Sequence, residues 1–197
     1  MRRLCFDTES NYVKSATSPV GDLDYHREWI NNFTRTRKIR WDCAVVYDEA
    51  EQEYREFGSQ QTDELVIFLA TADELISHSG QRHDLLILEN ILGVERVRPL
   101  LQVRHHDLFD ICHWNNLEEL TRRYVPERVL ELKRNDAARL SDIDARFPLT
   151  RWGSTDRWRS DENFLEGKFA KARFDVECTY AVWDALRTPE NGRSNCS

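Results

Sequence analysis

Apolar residues along this chain fall in short bursts with two distinct periods. Leu4-Cys5-Phe6 is a brief apolar run that predicts a buried strand at the centre of a sheet. Ile39–Tyr47 is rich in β-formers and predicts a second strand. Asp48–Glu51 supplies a turn, and the alternation over Glu53–Phe57 predicts a return strand, so the two make a hairpin. Leu75-Ile76 is a further short buried strand, and His106–Cys112 reads as another.

Between the strands the period becomes helical. Thr62 reads as a cap, with Asp63 and Glu64 in the first turn and Leu65, Phe68, Leu69 and Ala72 forming the apolar stripe. A second helix runs from Asp84 through Leu85, Leu88, Ile91 and Leu92, and Gly93 stops it. Asn116 caps a third, with Glu119 at the capping-box position and Leu117, Leu120 and Tyr124 facing in. Pro126 breaks it, and Val129–Lys133 continues as another short helix. The last element is a helix over Glu162–Arg187, with Phe164, Phe174, Cys178, Val182 and Leu186 inward. Tyr25–Phe33 reads as a short helix in an otherwise polar stretch. This order predicts an α/β fold, a sheet with helices on its faces. It occupies residues 1–188, with a long polar excursion at about 134–161 and a tail at 189–197.

Composition narrows the class. The 197 residues suffice for one full-sized core, and 40% apolar with 11% aromatic content fits a globular chain. A net charge of -7 argues against nucleic-acid binding by overall charge. It leaves room for a local basic groove, or for an acidic site that takes metal before phosphate. No apolar run reaches membrane-spanning length, and no long apolar core follows Arg2-Arg3, so neither a membrane span nor a signal peptide is expected. The five cysteines are scattered, odd in number and without zinc spacing; they read as buried thiols of a cytoplasmic protein.

The candidate chemistry lies in acids. Asp7 and Glu9 alternate along the first strand, so both leave the same side. Two acids on one face repel unless a cation sits between them, which suits a hard divalent ion such as Mg²⁺. Asp84 begins a helix, and Asp175 lies beside the stripe of the last one. Four carboxylates from distant places could thus converge at the end of one strand. His78, His83, His105 and His106 form no helical i, i+4 pair and read as structural or supporting groups. Arg35, Arg37, Lys38 and Arg40 read as a solvated loop. In the excursion, Arg146, Arg151, Arg157 and Arg159 interleave with Phe147, Trp152 and Trp158. Such side chains suit a single strand through phosphate pairing and base stacking, although tryptophans can equally anchor a loop to the core.

With these residues in view, the chain resembles the DEDD-type 3′→5′ exonucleases of the ribonuclease H-like superfamily. Within them it is most similar to predicted exonucleases related to the proofreading domain of family B DNA polymerases. Phe6-Asp7-Thr8-Glu9 matches the first motif. His78 to Asp84, followed by Leu85, resembles the second; His106-Asp107-Leu108 resembles the strand after it, and Asp175-Val176 with Thr179 resembles the third. Ser79 stands where asparagine is usual and His83 where phenylalanine is. Lys171 and Ala170 stand where the third motif carries tyrosine or histidine. The resemblance implies a mixed ribonuclease H-like sheet and hydrolysis of single-stranded DNA or RNA from the 3′ end with Mg²⁺ or Mn²⁺. It also implies that Asp7 bridges two ions roughly 4 Å apart, that Glu9 and Asp175 complete one site and that Asp84 holds the other. Lys171 lies one turn before Asp175, placed to pair with it or to donate to the scissile phosphate, but as an ammonium it supplies no base. The alternative reading is a catalytically weakened nucleic-acid-binding or assembly module.

Overall fold

Alternation along the first strand decides how the sheet divides the chain. In a computed structural model, which describes residues 1–12, 39–113, 115–126 and 162–188, β1 (Arg3–Tyr12) is the central strand. It sends Leu4, Phe6 and Thr8 to one face and Cys5, Asp7 and Glu9 to the other. β2 (Ile39–Asp48) and β3 (Glu53–Gly58) form the expected hairpin, and β4 (Glu74–Ser77) and β5 (Arg104–Asp107) follow in parallel. The sheet has five strands in the order β3-β2-β1-β4-β5. β2 runs antiparallel to both of its neighbours, β1 and β3, and β1, β4 and β5 are parallel. This is the mixed ribonuclease H-like sheet.

On the Leu4/Phe6 face lie α1 (Thr62–Leu69), α2 (Asp84–Leu92) and α3 (Val94–Gln102). Leu65, Leu69, Leu85, Leu88, Val97 and Leu100 close over Leu4, Phe6, Ala44 and Val46 in the main core. Truncating any of the fully buried leucines to alanine would cost about 2–5 kcal/mol. Two short elements, α4 (Leu108–Ile111) and α5 (Leu117–Tyr124), follow β5. The other face of the sheet is covered by α6 (Glu162–Arg187), whose Ala172 and Val176 pack on Cys5, Val45 and Ile76. Beyond these contacts α6 meets α4 and α5 through Val182, Leu108, Cys112 and Leu120.

Several local expectations change. The strand expected over His106–Cys112 ends at Asp107, because the Asp107 carboxylate accepts from Phe109 N at 3.1 Å and caps a helical turn. Gln61, not Thr62, is the N-cap residue of α1; Thr62 Oγ1 instead donates to Ser59 O at 3.5 Å. Asn116 caps α5 as expected, accepting from Glu119 N at 2.9 Å. The inward face of α6 is also rotated. Ala172, Val176, Tyr180 and Trp183 meet the sheet side, Val182 and Leu186 turn toward α5, and Phe174 is only half-buried. The helices expected at 25–33 and 129–133, the excursion at 134–161 with its arginines and tryptophans, and the tail at 189–197 lie outside the described residues. Among the described residues no helix is long and apolar enough to cross a membrane. Cys5, Cys43, Cys112 and Cys178 are buried free thiols.

Candidate metal centre

β1 is longer than its parallel neighbour. Along β1, β4 pairs with Arg3, Leu4 and Cys5 and ends at Ser77, so beyond Phe6 β1 continues past the end of β4, paired with β2. Asp7 and Glu9 stand on that extension, on the face covered by α6. The carboxyl end of a central strand beside parallel neighbours is where open α/β sheets form their ligand crevices.

α6 brings the third acid. Its Val176 is buried against Cys5 and Ile76, which fixes the rotation of the helix and turns Asp175 toward the strand extension. Asp7, Glu9 and Asp175 each present a carboxylate oxygen, and these oxygens lie within 4.8 Å of one another. An oxygen-only set of this size suits a hard divalent cation better than zinc. The histidines are engaged elsewhere: His78 Nε2 lies 3.0 Å from Asn115 O, His105 Nε2 lies 2.7 Å from Ser77 Oγ, and His106 stacks on Trp183. Burial lowers the pKa of both His83 and His105 to about 4, so both rings are neutral near pH 7.

Asp84 arrives on the opposite face. It is the first residue of α2, is 3% exposed, and accepts a 2.5 Å bond from Thr8 Oγ1. Thr8 lies between the two acids of β1 and points the other way. Asp84 therefore stands across the strand from Glu9 and outside the three-oxygen group, yet its charge reaches Asp7. Burial, followed by the charges of Asp175, Asp84 and Glu9, pushes the Asp7 pKa well above the usual carboxylate range. Burial also raises Glu9, against the pull of Lys171, and raises Asp84, against the bond from Thr8. Carboxylates held this way are poised to exchange protons for a cation.

Lys171, expected one turn from Asp175, donates to Asp175 Oδ2 at 3.0 Å and to Glu9 Oε1. Burial disfavours its charge, but the acids Asp175, Glu9 and Asp7 outweigh this and raise its pKa.

Four further residues support these acids: Asp42, Gly80, Asp107 and Lys168, of which Gly80 and Asp107 fall in the motif-like stretches 78–84 and 106–108. β1 and β2 shift register between Glu9 and Ser10: Glu9 faces Cys43 and Ser10 faces Trp41, so Asp42 is an extra residue on β2. The bulge aims Asp42 at Lys168, whose Nζ donates to Asp42 Oδ2 and, at 3.1 Å, to Ser10 O. Lys168 thereby fastens the start of α6 to the strand pair just beyond Glu9. Asp107 grips the loop before α2: its Oδ1 accepts from Ser79 N at 2.6 Å and its Oδ2 from Gln81 N at 3.0 Å. Burial raises its pKa, against these backbone bonds. Gly80 completes that loop; an added Cβ would fall 2.4 Å from Ser77 Oγ and 3.1 Å from Phe6 Cζ. Of the four, Asp107 could have been found from its cap-like placement before an apolar turn. The bulge at Asp42 and the reach of Lys168 have no local signal.

Fold and site together define a ribonuclease H-like α/β domain with a carboxylate cluster at the end of its central strand. Among solved structures, the chain is similar to the family B DNA polymerase from the hyperthermophilic archaeon Pyrobaculum calidifontis, with a TM-score of 0.58 and 13% identity. The match covers 94% of this chain and 24% of that polymerase, so the chain spans about a quarter of its length and the likeness is one of fold. No protein-family model matches the sequence, and no curated protein matches it.

Proposed function

We propose that residues 1–188 form a DEDD-type 3′→5′ exonuclease domain that hydrolyses phosphodiester bonds of single-stranded DNA or RNA with Mg²⁺ or Mn²⁺. The observation that carries this reading is the approach of Asp7, Glu9 and Asp175 to within 4.8 Å at the end of β1, with Asp84 fixed across the strand by Thr8. Asp7, Glu9 and Asp175 would hold one ion, and Asp84 with Asp7 a second. Bound divalent ions supply Lewis-acid stabilisation of the attacking and leaving oxygens. The chain itself contributes position. Thr8 orients Asp84, Asp107 and Gly80 shape the loop that delivers it, and Lys168 holds α6 so that Asp175 faces Glu9. The buried thiols fit a cytoplasmic location.

A second reading, a nucleic-acid-binding or assembly module that has lost hydrolysis, is favoured by one observation. Lys171 bridges Glu9 and Asp175, at a position where the resemblance leads one to expect a tyrosine. The test is degradation of 5′-labelled single strands in Mg²⁺, Mn²⁺ or chelator. The exonuclease reading expects a ladder shortening from the 3′ end that disappears in chelator and with Asp7→Ala. Binding without shortening establishes the second reading, and shortening that survives Asp7→Ala rules out this centre.

A further inference from the structure

Two of the three clustered acids are already bridged by a cation that belongs to the chain. Lys171 Nζ donates to Asp175 Oδ2, one helical turn away, and to Glu9 Oε1 on β1, 162 residues distant in sequence. The ammonium thus bonds two of the three carboxylates that a divalent ion would take, and it ties helix to strand as such an ion would. Its surroundings differ from those of Lys168. Lys168 has a 9% exposed side chain and is committed to Asp42 and to a backbone carbonyl. The Lys171 side chain is 46% exposed, so its flexible stem can carry the head out to water without opening the core.

We propose that Lys171 is a resident counter-ion of this cluster, holding Glu9 and Asp175 together in the absence of metal and giving way when a divalent cation binds their oxygens. The inference rests on reading the cluster as a metal centre. It follows that the first cost of binding at Glu9 and Asp175 is the rupture of two charge-assisted bonds. Occupancy of that position therefore responds to the free divalent-ion concentration more weakly than three unengaged carboxylates would. Lys171 also keeps the metal-free domain from losing the contact between α6 and β1. Two acids left facing each other there would repel.

The test compares the full chain with Lys171→Met, which keeps the length of the stem and removes the charge. In chelator the variant is expected to melt roughly 3 °C lower or more, the scale set by one partly exposed ion pair at this chain length. Calorimetric titration with Mn²⁺ alone should then show roughly tenfold tighter binding by the variant, with a larger rise in melting temperature than in the wild type. Equal Mn²⁺ affinity in the two proteins, or equal stability in chelator, overturns the inference. Lys171→Arg keeps the charge and must bind Mn²⁺ as weakly as the wild type; tighter binding by this variant also overturns it, even if Lys171→Met fails to fold. If Mn²⁺ shifts neither protein, the competition is refuted whatever the domain does to nucleic acid. If the variant binds Mn²⁺ tightly and neither protein shortens a labelled strand, the counter-ion stands and the nuclease reading falls.

Discussion

Gly80 is the position where a single added methyl group should do the most damage near the site. A Cβ there would lie 2.4 Å from Ser77 Oγ, 2.6 Å from Ser77 Cβ and 3.1 Å from Phe6 Cζ. None of these can yield easily. Ser77 is fully buried, lies 2.7 Å from His105 Nε2 and accepts from Gly80 N at 3.2 Å, while Phe6 is 1% exposed at the heart of the main core. Overpacking of this kind costs about 1–3 kcal/mol, and two contacts below 3.0 Å place Gly80→Ala near the upper end, at about 3 kcal/mol. For a chain of this size that lowers the melting temperature by roughly 6–12 °C. The diagnostic is a double-mutant cycle read by urea unfolding. Ser77→Gly alone should cost about 2 kcal/mol, from its lost bonds and the added backbone freedom. It also deletes both of the closest atoms, leaving Phe6 Cζ, at 3.1 Å, as the nearest neighbour of the new Cβ. The double variant should therefore be about 2 kcal/mol more stable than the sum of the single losses. Additive losses, or a Gly80→Ala protein within about 0.5 kcal/mol of wild type, would refute the steric account.

Two further outcomes follow from the charges. Asp7 and Glu9 have folded pKa values raised, first of all by burial, above unfolded values near 4. Raised carboxylates favour the fold at low pH; that contribution is complete below about pH 4 and is lost as pH rises through the folded values. In chelator the urea midpoint of wild type should fall across this window more steeply than that of Asp7→Asn, and equal slopes would rule out the assigned cause. Lys168→Met should cost about 3 kcal/mol in urea unfolding, because it leaves Asp42 charged and nearly enclosed; Asp42→Asn in the same protein should recover part of the loss. A cost below about 0.5 kcal/mol would mean that the tie does not hold α6.

Where a residue's role depends on neighbours close in sequence, the chain declares it. Alternation places Asp7 and Glu9 on one face, the hairpin β2–β3 follows from β-formers around a turn, and α2 begins at Asp84 as its periodicity requires. The helix α3 is not legible, because Pro99 lies inside it and Gly93, which ends α2, also precedes its first residue. On α6 the large residue Phe174 suggests the inward face, and Cys178 is buried as expected. Phe174 is only half-buried, and the sheet instead receives Ala172 and Val176, which pack on Cys5, Val45 and Ile76. Thr8, Asp42 and Lys168 act through contacts that span tens of residues or more, and no local spacing announces these.

The grip of Asp107 on the main chain has a consequence for how such a domain can diverge. A carboxylate that holds Ser79 and Gln81 by their N–H groups is indifferent to the side chains those positions carry. Position 79 is restrained by its left-handed backbone, φ 66°, which asparagine or glycine accepts at modest cost and which serine adopts here. Substitutions can accumulate at positions 79 and 81, though not at Gly80 between them, while the shape of the loop and the delivery of Asp84 are passed on unchanged. Inheritance here is of a main-chain path anchored by one buried acid, so comparison of residue identities loses the loop long before its geometry is lost.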